Sequence, residues 1–170
     1  MADNVYLGNP NLKKANTPVE FTEENIIEFV RCKNDPVYFA ENYVKIVSLD
    51  EGLVPFKPYD FQRKLISNFH ENRFNICKMP RQTGKSTTSV SYLLHYAVFN
   101  DSVNIGILAN KAATARDLLG RLQTAYENLP KWMQQGIIAW NKGSLELENG
   151  SKILAASTSA SAVRGMSFNI

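Results

Sequence analysis

Hydrophobic spacing divides the chain near residue 72. Before that point, apolar side chains recur at the three- and four-residue intervals of helices that bury one face. After it, short apolar runs alternate with longer stretches of helical spacing. We therefore predict a mostly helical first part, residues 21–72, and a second part, residues 73–170, in which strands and helices alternate.

Three helices are predicted in the first part. The first begins at Thr22, whose hydroxyl can cap it, and its buried face is expected to consist of Ile26, Ile27, Phe29 and Val30. The second spans roughly residues 36–46, and the third follows Asp60. The intervening "SLDEGLVPFKP" is predicted to be a loop. Residues 1–20, rich in Asn, Lys and Pro, are predicted to be an extended or mobile arm.

The second part has the order strand, helix, strand, helix. "FNICKM" (74–79) and "VNIGILAN" (103–110) are apolar enough for buried strands, which would place Cys77 in the core. Helical patterns follow over residues 85–99 and 111–129. This alternation indicates an α/β fold, with a parallel sheet flanked by helices. "SLELENGSKILAAS" predicts a hairpin that turns at Asn149-Gly150. "LPKWMQQGIIAW" is predicted to be a packed connector, and His70 and His95 to be surface or packing residues.

Composition limits the class of protein without identifying a partner. A chain of 170 residues is long enough for one domain with a substantial core. Its net charge of +3 permits a local basic patch but does not require a nucleic-acid partner. No apolar run approaches the ~20 residues of a membrane span, and the amino terminus lacks the apolar core of a signal peptide. Two cysteines without metal-ligand spacing suit a reducing compartment. We expect an intracellular protein.

The candidate chemistry lies in "MPRQTGKST", residues 79–87. It joins a predicted strand to a predicted helix, which is where a phosphate-binding loop places its free N–H groups and helix dipole against phosphates. Gly84 would let the backbone approach, Lys85 would reach the β- and γ-phosphates and Ser86 would ligate Mg²⁺. Met79 stands where the usual pattern has its first glycine. A plain turn with a capping serine is the alternative interpretation, and the flanking elements disfavour it.

At the residues Arg81-Gln82-Thr83-Gly84-Lys85-Ser86 the chain resembles the ATPase domain of the large terminase subunit of tailed bacteriophages. Its loop is most similar to that of the myovirus branch, Arg-Gln-x-Gly-Lys-Ser/Thr. Other segments resemble the family in the same order: "YLGNPNLKKAN", "DPVYFAENY", "YDFQRKLI", "GIIAWNKGSLELENGSKI" and "AVRGMSF". The resemblance implies the amino-terminal part of a P-loop NTPase of the ASCE (RecA-like) class.

The resemblance also implies roles for individual residues. In "YDFQR", Gln62 is expected to recognise adenine, and Phe61 or Tyr59 to stack on the base. The alternative for Phe61 is packing in the core on the apolar face of its helix. Arg63 is left open between the nucleotide and a solvated face. Arg81 is expected to stabilise the γ-phosphate, and Arg164 to act as an arginine finger toward a neighbouring subunit, unless it lies in a mobile tail. The nucleotide-binding set is Gln62, Phe61, Pro80, Arg81, Gln82, Thr83, Gly84, Lys85, Ser86 and Thr87, with ATP and Mg²⁺ as cofactors.

For the whole family protein, the resemblance implies a motor that drives double-stranded DNA into a procapsid. The implied partners are DNA, the portal, the small terminase subunit and further copies in a homo-oligomeric ring, with no membrane, in the host cytoplasm. The family's acidic strand after "RGMSF" and its nuclease domain have no counterpart in these 170 residues. We therefore expect weak nucleotide binding, little or no hydrolysis and no nuclease activity from this chain alone.

Two other classes of function stay open at this stage. A superfamily-two helicase or translocase shares the upstream glutamine and a phosphate loop, but usually lacks the Arg-Gln pair found at residues 81 and 82. A non-catalytic interaction fragment with a vestigial nucleotide site is the third class.

Overall fold

The computed structural model describes residues 4–48, 50–158 and 165–170. In chain order the strands are β1 (Val5–Tyr6), β2 (Asn9–Lys13), β3 (Lys45–Ser48), β4 (Gly52–Pro55), β5 (Asn104–Ala109), β6 (Ile137–Trp140), β7 (Ser144–Leu147) and β8 (Lys152–Ser157). The helices are α1 (Glu23–Asn34), α2 (Pro36–Tyr43), α3 (Asp60–Glu71), α4 (Lys85–Phe99) and α5 (Ala112–Glu127). No helix among the described residues combines the length and the apolar character needed to cross a membrane.

The central sheet has four strands in the order β5-β8-β7-β6. Only β5 and β8 run parallel, with Ile105 opposite Ile153, whereas β7 pairs antiparallel with both of its neighbours. The α/β class is confirmed, but the expected parallel sheet is a mixed one. The cause is local: the predicted hairpin forms, with Gly150 at φ +81° in its turn, and a tight hairpin can only join antiparallel strands. The segment expected to be a connector contributes β6.

Side-chain caps and apolar spacing produce the helices of the first part. The Thr22 hydroxyl accepts a hydrogen bond from the Asn25 N–H at 3.2 Å, and Asp35 caps α2 in the same way. The second helix ends earlier than expected, at Tyr43, because Val44 is extended. The chain then forms the β3–β4 hairpin, so the prediction of a loop over this segment was wrong in part. Gly52, at φ +72°, begins the return strand.

The predicted buried face of α1 is largely wrong. Ile26, Ile27 and Val30 are all at least half exposed, and the buried residue of this helix is Cys32. Phe29 alone of the predicted set packs against the core, edge-on to Phe99 of α4 at a centroid distance of 4.9 Å. Spacing identified the helix correctly but not which of its faces packs inward.

Residues 5–16 are attached to the sheet rather than free. β1 and β2 form an antiparallel pair, Leu12 is buried, and Lys14 makes an isolated parallel bridge with Ile137 of β6. The Glu148 carboxylate accepts hydrogen bonds from the N–H groups of Asn16 and Gly136 and pairs with Lys13. These contacts hold the arm along the outer edge of β6.

The predicted strand over residues 74–79 does not form. This segment has no regular secondary structure, with Phe74 83% and Ile76 101% exposed, and Cys77 is exposed rather than in the core. A strand persists only where a neighbour accepts and donates its backbone hydrogen bonds, and the described residues supply none here. The place beside β5 is instead taken by residues 168–170: Gly106 N–H donates to the Ile170 carbonyl at 2.8 Å.

Candidate nucleotide site

The candidate phosphate loop ends at the first turn of α4. Gly84 is the N-cap residue of this helix, in the left-handed conformation with φ +75°, and its carbonyl accepts the Thr88 N–H at 2.9 Å. Gln82 is also left-handed, at φ +61°. The first N–H groups of a helix have no partner within it, so those of Lys85, Ser86 and Thr87 stand at the positive end of the α4 dipole. This end of α4 can receive an anion.

The ammonium group of Lys85 lies inside the loop. It donates to the Met79 carbonyl at 2.9 Å and also to the Pro80 carbonyl. The Thr83 hydroxyl donates to the same Pro80 carbonyl at 3.1 Å. The loop therefore wraps around its lysine, and the cation is held by main-chain oxygens rather than pointing into solvent.

Gln62 joins α3 to this loop. Its Nε2 donates to the Thr83 carbonyl at 3.1 Å, and its Oε1 accepts the Tyr59 N–H at 2.9 Å. The resemblance implied that Gln62 recognises adenine. However, the amide contacts the loop itself, and the residue is buried.

The side chains expected to contact phosphate and metal are accessible. Arg81, Gln82 and Ser86 are exposed, and Thr83, Gly84, Lys85 and Thr87 are half-buried. Within the part of the chain that the structure describes, neither Arg81 nor Ser86 makes a side-chain hydrogen bond or ion pair. Their groups are therefore available to a ligand. The described residues also contain no group of three or more His, Cys, Asp or Glu side chains placed to hold a metal ion.

Two exposed aromatic rings, those of Tyr59 and Phe61, lie at the start of α3 near Gln62 in sequence. Tyr59 and Phe61 stack with their centroids 5.8 Å apart and their planes 10° from parallel, and both are largely exposed. The alternative in which Phe61 belongs to the core is thereby disfavoured. Arg63 is turned to carboxylates: it pairs with Glu41 at 2.5 Å and with Asp60 at 2.9 Å.

One predicted site residue, Arg164, lies outside the described residues. Sequence reasoning did not identify Thr88 as part of the site. This residue is fully buried, and its hydroxyl donates to the Gly84 carbonyl at 3.0 Å, which fixes the last residue of the loop. The signal was present in the sequence, since a threonine four residues after the loop glycine is in position to bond that carbonyl across one helical turn.

Two comparisons with known proteins bear on this arrangement. Residues 76–170 match the family described as terminase large subunit, T4likevirus-type, N-terminal. The structure is similar to the crystal structure of the HK97 bacteriophage large terminase, with a TM-score of 0.64 and 19% identity, over 80% of this chain and 29% of that one. At this identity the second likeness concerns the fold, and the chain spans less than a third of that protein.

Proposed function

Because the chain belongs to the T4-type terminase large subunit family, we propose that residues 80–87 bind the triphosphate of ATP in a motor that packages double-stranded DNA. The observation that carries this proposal is the position of Lys85. Its ammonium group lies beneath a loop that ends, at the left-handed Gly84, on the open first turn of a fifteen-residue helix. Backbone N–H groups, a helix dipole and a fixed cation thus converge at one place.

Binding would exchange the ligands of this cation. Before binding, Lys85 is satisfied by two uncharged carbonyl oxygens, those of Met79 and Pro80. Hydrogen bonds from an ammonium group to ionised oxygens are shorter and stronger than those to neutral ones. A triphosphate at the end of α4 would therefore compete for Lys85, while the free N–H groups of the first turn bond its oxygens.

The remaining side chains provide charge and orientation. The Ser86 hydroxyl, at the second position of α4, would be a protein ligand of Mg²⁺, which supplies charge neutralisation between the β- and γ-phosphates when bound. The free guanidinium of Arg81 would contact the γ-phosphate. The stacked rings of Tyr59 and Phe61 offer an apolar platform for the base.

For the longer family protein, we propose ATP hydrolysis coupled to movement of double-stranded DNA into a procapsid. Arg164 would act there on a neighbouring subunit's nucleotide within a homo-oligomeric ring. The portal and the small terminase subunit would be its protein partners, in the host cytoplasm. The family match favours this function over a superfamily-two helicase.

Calorimetric titration of the 170-residue polypeptide with Mg–ATP tests the proposed site. Lys85→Ala should weaken binding by roughly ten- to hundredfold, because it removes a charged hydrogen bond of about 1.5–3 kcal/mol. Lys111→Ala is the matched control, since Lys111 is an exposed lysine at the start of another helix, α5, and should change nothing. Equal affinities of both variants and the unaltered chain would leave a vestigial, non-catalytic loop as the better interpretation.

A further inference from the structure

Helix α1 has an apolar stripe on the side opposite its packed face. The helix packs inward through Cys32, which is fully buried, and through Phe29. In contrast, Ile26, Ile27 and Val30 are 52%, 68% and 50% exposed. With about 3.6 residues per turn, these three side chains lie within about 100° of one another, on the far side of the helix from Cys32. Within the described part of the chain, nothing covers this α1 stripe.

The charges at the two ends of the stripe have opposite signs. Glu23 and Glu24 lie in the first turn of α1, whereas Arg31 and Lys33 lie in the last turn. None of the four forms an ion pair with another described residue. Glu24 and Arg31 are seven residues, or about two turns, apart and therefore lie along the same flank of the stripe. This flank begins with an acidic group and ends with a basic one.

We propose that the α1 stripe is an interface with a second copy of this chain, in which the two α1 helices pack antiparallel about a two-fold axis. Ile27, near the middle of the stripe, would then pack against Ile27 of the second copy. Glu24 of each copy would lie opposite Arg31 of the other, which forms two ion pairs. A parallel arrangement would instead place like charges opposite each other, so the charge pattern favours the antiparallel one.

The size of the stripe determines how strong this contact can be. A helix of 12 residues is about 18 Å long, so the area it buries falls short of the ~800 Å² per partner of a stable interface. We therefore expect a weak dimer that forms as the concentration rises. A contact that uses the same patch on both copies closes at two, so it differs from the contacts that would build a ring.

Sedimentation equilibrium of the 170-residue polypeptide tests this proposal at concentrations from about 10 μM to about 1 mM, where weak interfaces dissociate. A reducing agent is needed because Cys77 is exposed and could form a disulfide between copies. We expect a monomer–dimer equilibrium. Ile27→Lys should weaken it at least about tenfold, because each dimer loses two buried isoleucines and gains two like charges that face each other.

Ile76→Lys is the matched control. It makes the same substitution at an isoleucine that is fully exposed and lies outside α1, so this variant should dimerise like the unaltered chain. Circular dichroism of both variants would check that the helices remain intact.

Reversal of single charges tests the orientation of the two helices. Glu24→Lys would turn both ion pairs into contacts between cations, and Arg31→Glu would turn them into contacts between carboxylates. Each variant alone should therefore dimerise roughly two- to tenfold more weakly, as expected for surface pairs. An equimolar mixture of the two variants contains two opposite-charge contacts in each mixed dimer and should recover the original affinity. Mixing would not rescue a defect within α1 itself.

Several results would overturn the proposal. A monomer at every concentration would do so, as would a dimer that Ile27→Lys does not weaken. Loss of the dimer in Ile76→Lys would move the interface to residues 74–79. Species larger than a dimer would indicate association through an open sheet edge, and unchanged affinities in both charge variants would exclude the antiparallel pairing. The α1 stripe shares no residue with the candidate nucleotide site, so the proposed function does not depend on this outcome.

Discussion

A Cβ atom on Gly84 would lie 2.4 Å from the Nε2 atom of Gln62. That separation is far inside van der Waals contact, and Gln62 cannot move away without losing its bonds to Tyr59 and Thr83. Gly84 also has φ +75°, which costs a residue with a side chain about 1–2 kcal/mol. Glycine is therefore required at position 84 for two reasons. Its backbone conformation is unfavourable for other residues, and Gln62 leaves no space for a Cβ atom.

We predict that Gly84→Ala abolishes triphosphate binding and lowers the free energy of unfolding by about 1–3 kcal/mol, as strained backbone positions do. Urea denaturation and calorimetric titration would measure the two effects. Gly120→Ala is the control: Gly120 lies within α5 with open space around its Cβ position, so alanine should stabilise the chain by about 0.5–1 kcal/mol. A Gly84→Ala protein with full affinity would contradict the packing of Gln62 against the loop.

Acid should weaken the fold through His95. Burial lowers the pKa of this imidazole to about 4, although its hydrogen bond to the Cys32 carbonyl opposes the shift. His70 lies nearby, at a ring-centroid distance of 6.1 Å, and its electrostatic effect lowers the pKa of His95 further. The folded pKa is below the unfolded value of about 6.5. The unfolded chain therefore takes up the proton first, and stability falls as the pH drops from about 6.5 toward 4.

Because of His95, the free energy of unfolding should be about 2 kcal/mol lower at pH 5 than at pH 7. Denaturation midpoints at the two pH values would measure the loss. His95→Gln keeps a donor for the Cys32 carbonyl without a titrating ring, so its stability should change less over the same range. An equally steep pH dependence in that variant would exclude His95 as the cause.

Sequence reasoning was most successful where local chemistry alone decides the structure. Thr22 and the Asn149-Gly150 turn were identified by their capping and turn preferences, and both act as expected. The bounds of α4 agree with the pattern as well. Each of these features is determined by residues within a few positions of one another, so no knowledge of the remainder of the chain was needed.

The failures share the opposite cause, since they depend on contacts distant in sequence. Ile26 and Ile27 have helical spacing, but no described residue buries them. The anchoring of the amino-terminal arm requires Glu148, more than 130 residues away from Asn16. In the candidate site, the sequence predicted the loop, and the resemblance implied that Gln62 recognises adenine. It could not show that the amide's partners are main-chain atoms of Tyr59 and Thr83.

Exposure of the 74–79 segment leads to a third prediction. Ile76 makes no buried contact, so Ile76→Lys should change the free energy of unfolding of the 170-residue polypeptide by less than about 0.5 kcal/mol. Ile105→Lys is the comparison, because Ile105 is fully buried in β5, and an unpaired charge there should prevent folding. Urea denaturation would distinguish them. Strong destabilisation by Ile76→Lys would mean that this segment is packed after all.

Glu148 is predicted to hold the amino-terminal arm on the sheet. Burial alone would raise the pKa of this carboxyl group, but hydrogen bonds from Lys13 and from the N–H groups of Asn16 and Gly136 outweigh it and lower the pKa. The carboxylate thus joins Lys13 of β2, Asn16 of the arm and Gly136, which directly precedes β6. Glu148→Ala would leave these donors unpaired, at a cost of about 2–3 kcal/mol.

Trypsin would report the release of the arm directly, because Lys13 and Lys14 are cleavable only when the arm leaves the sheet edge. Cleavage there should be faster in Glu148→Ala than in the unaltered chain. Glu146→Ala is the matched control: Glu146 lies two residues earlier and pairs with Lys152 near the surface, and such pairs contribute less than about 1 kcal/mol. Equal cleavage rates in the two variants would mean that the arm is held by Leu12 and its backbone pairing, with the carboxylate contributing little. Faster cleavage in Glu148→Ala alone would instead identify the Glu148 carboxylate, in the turn after β7, as the contact that holds Lys13 and Asn16 at the sheet edge.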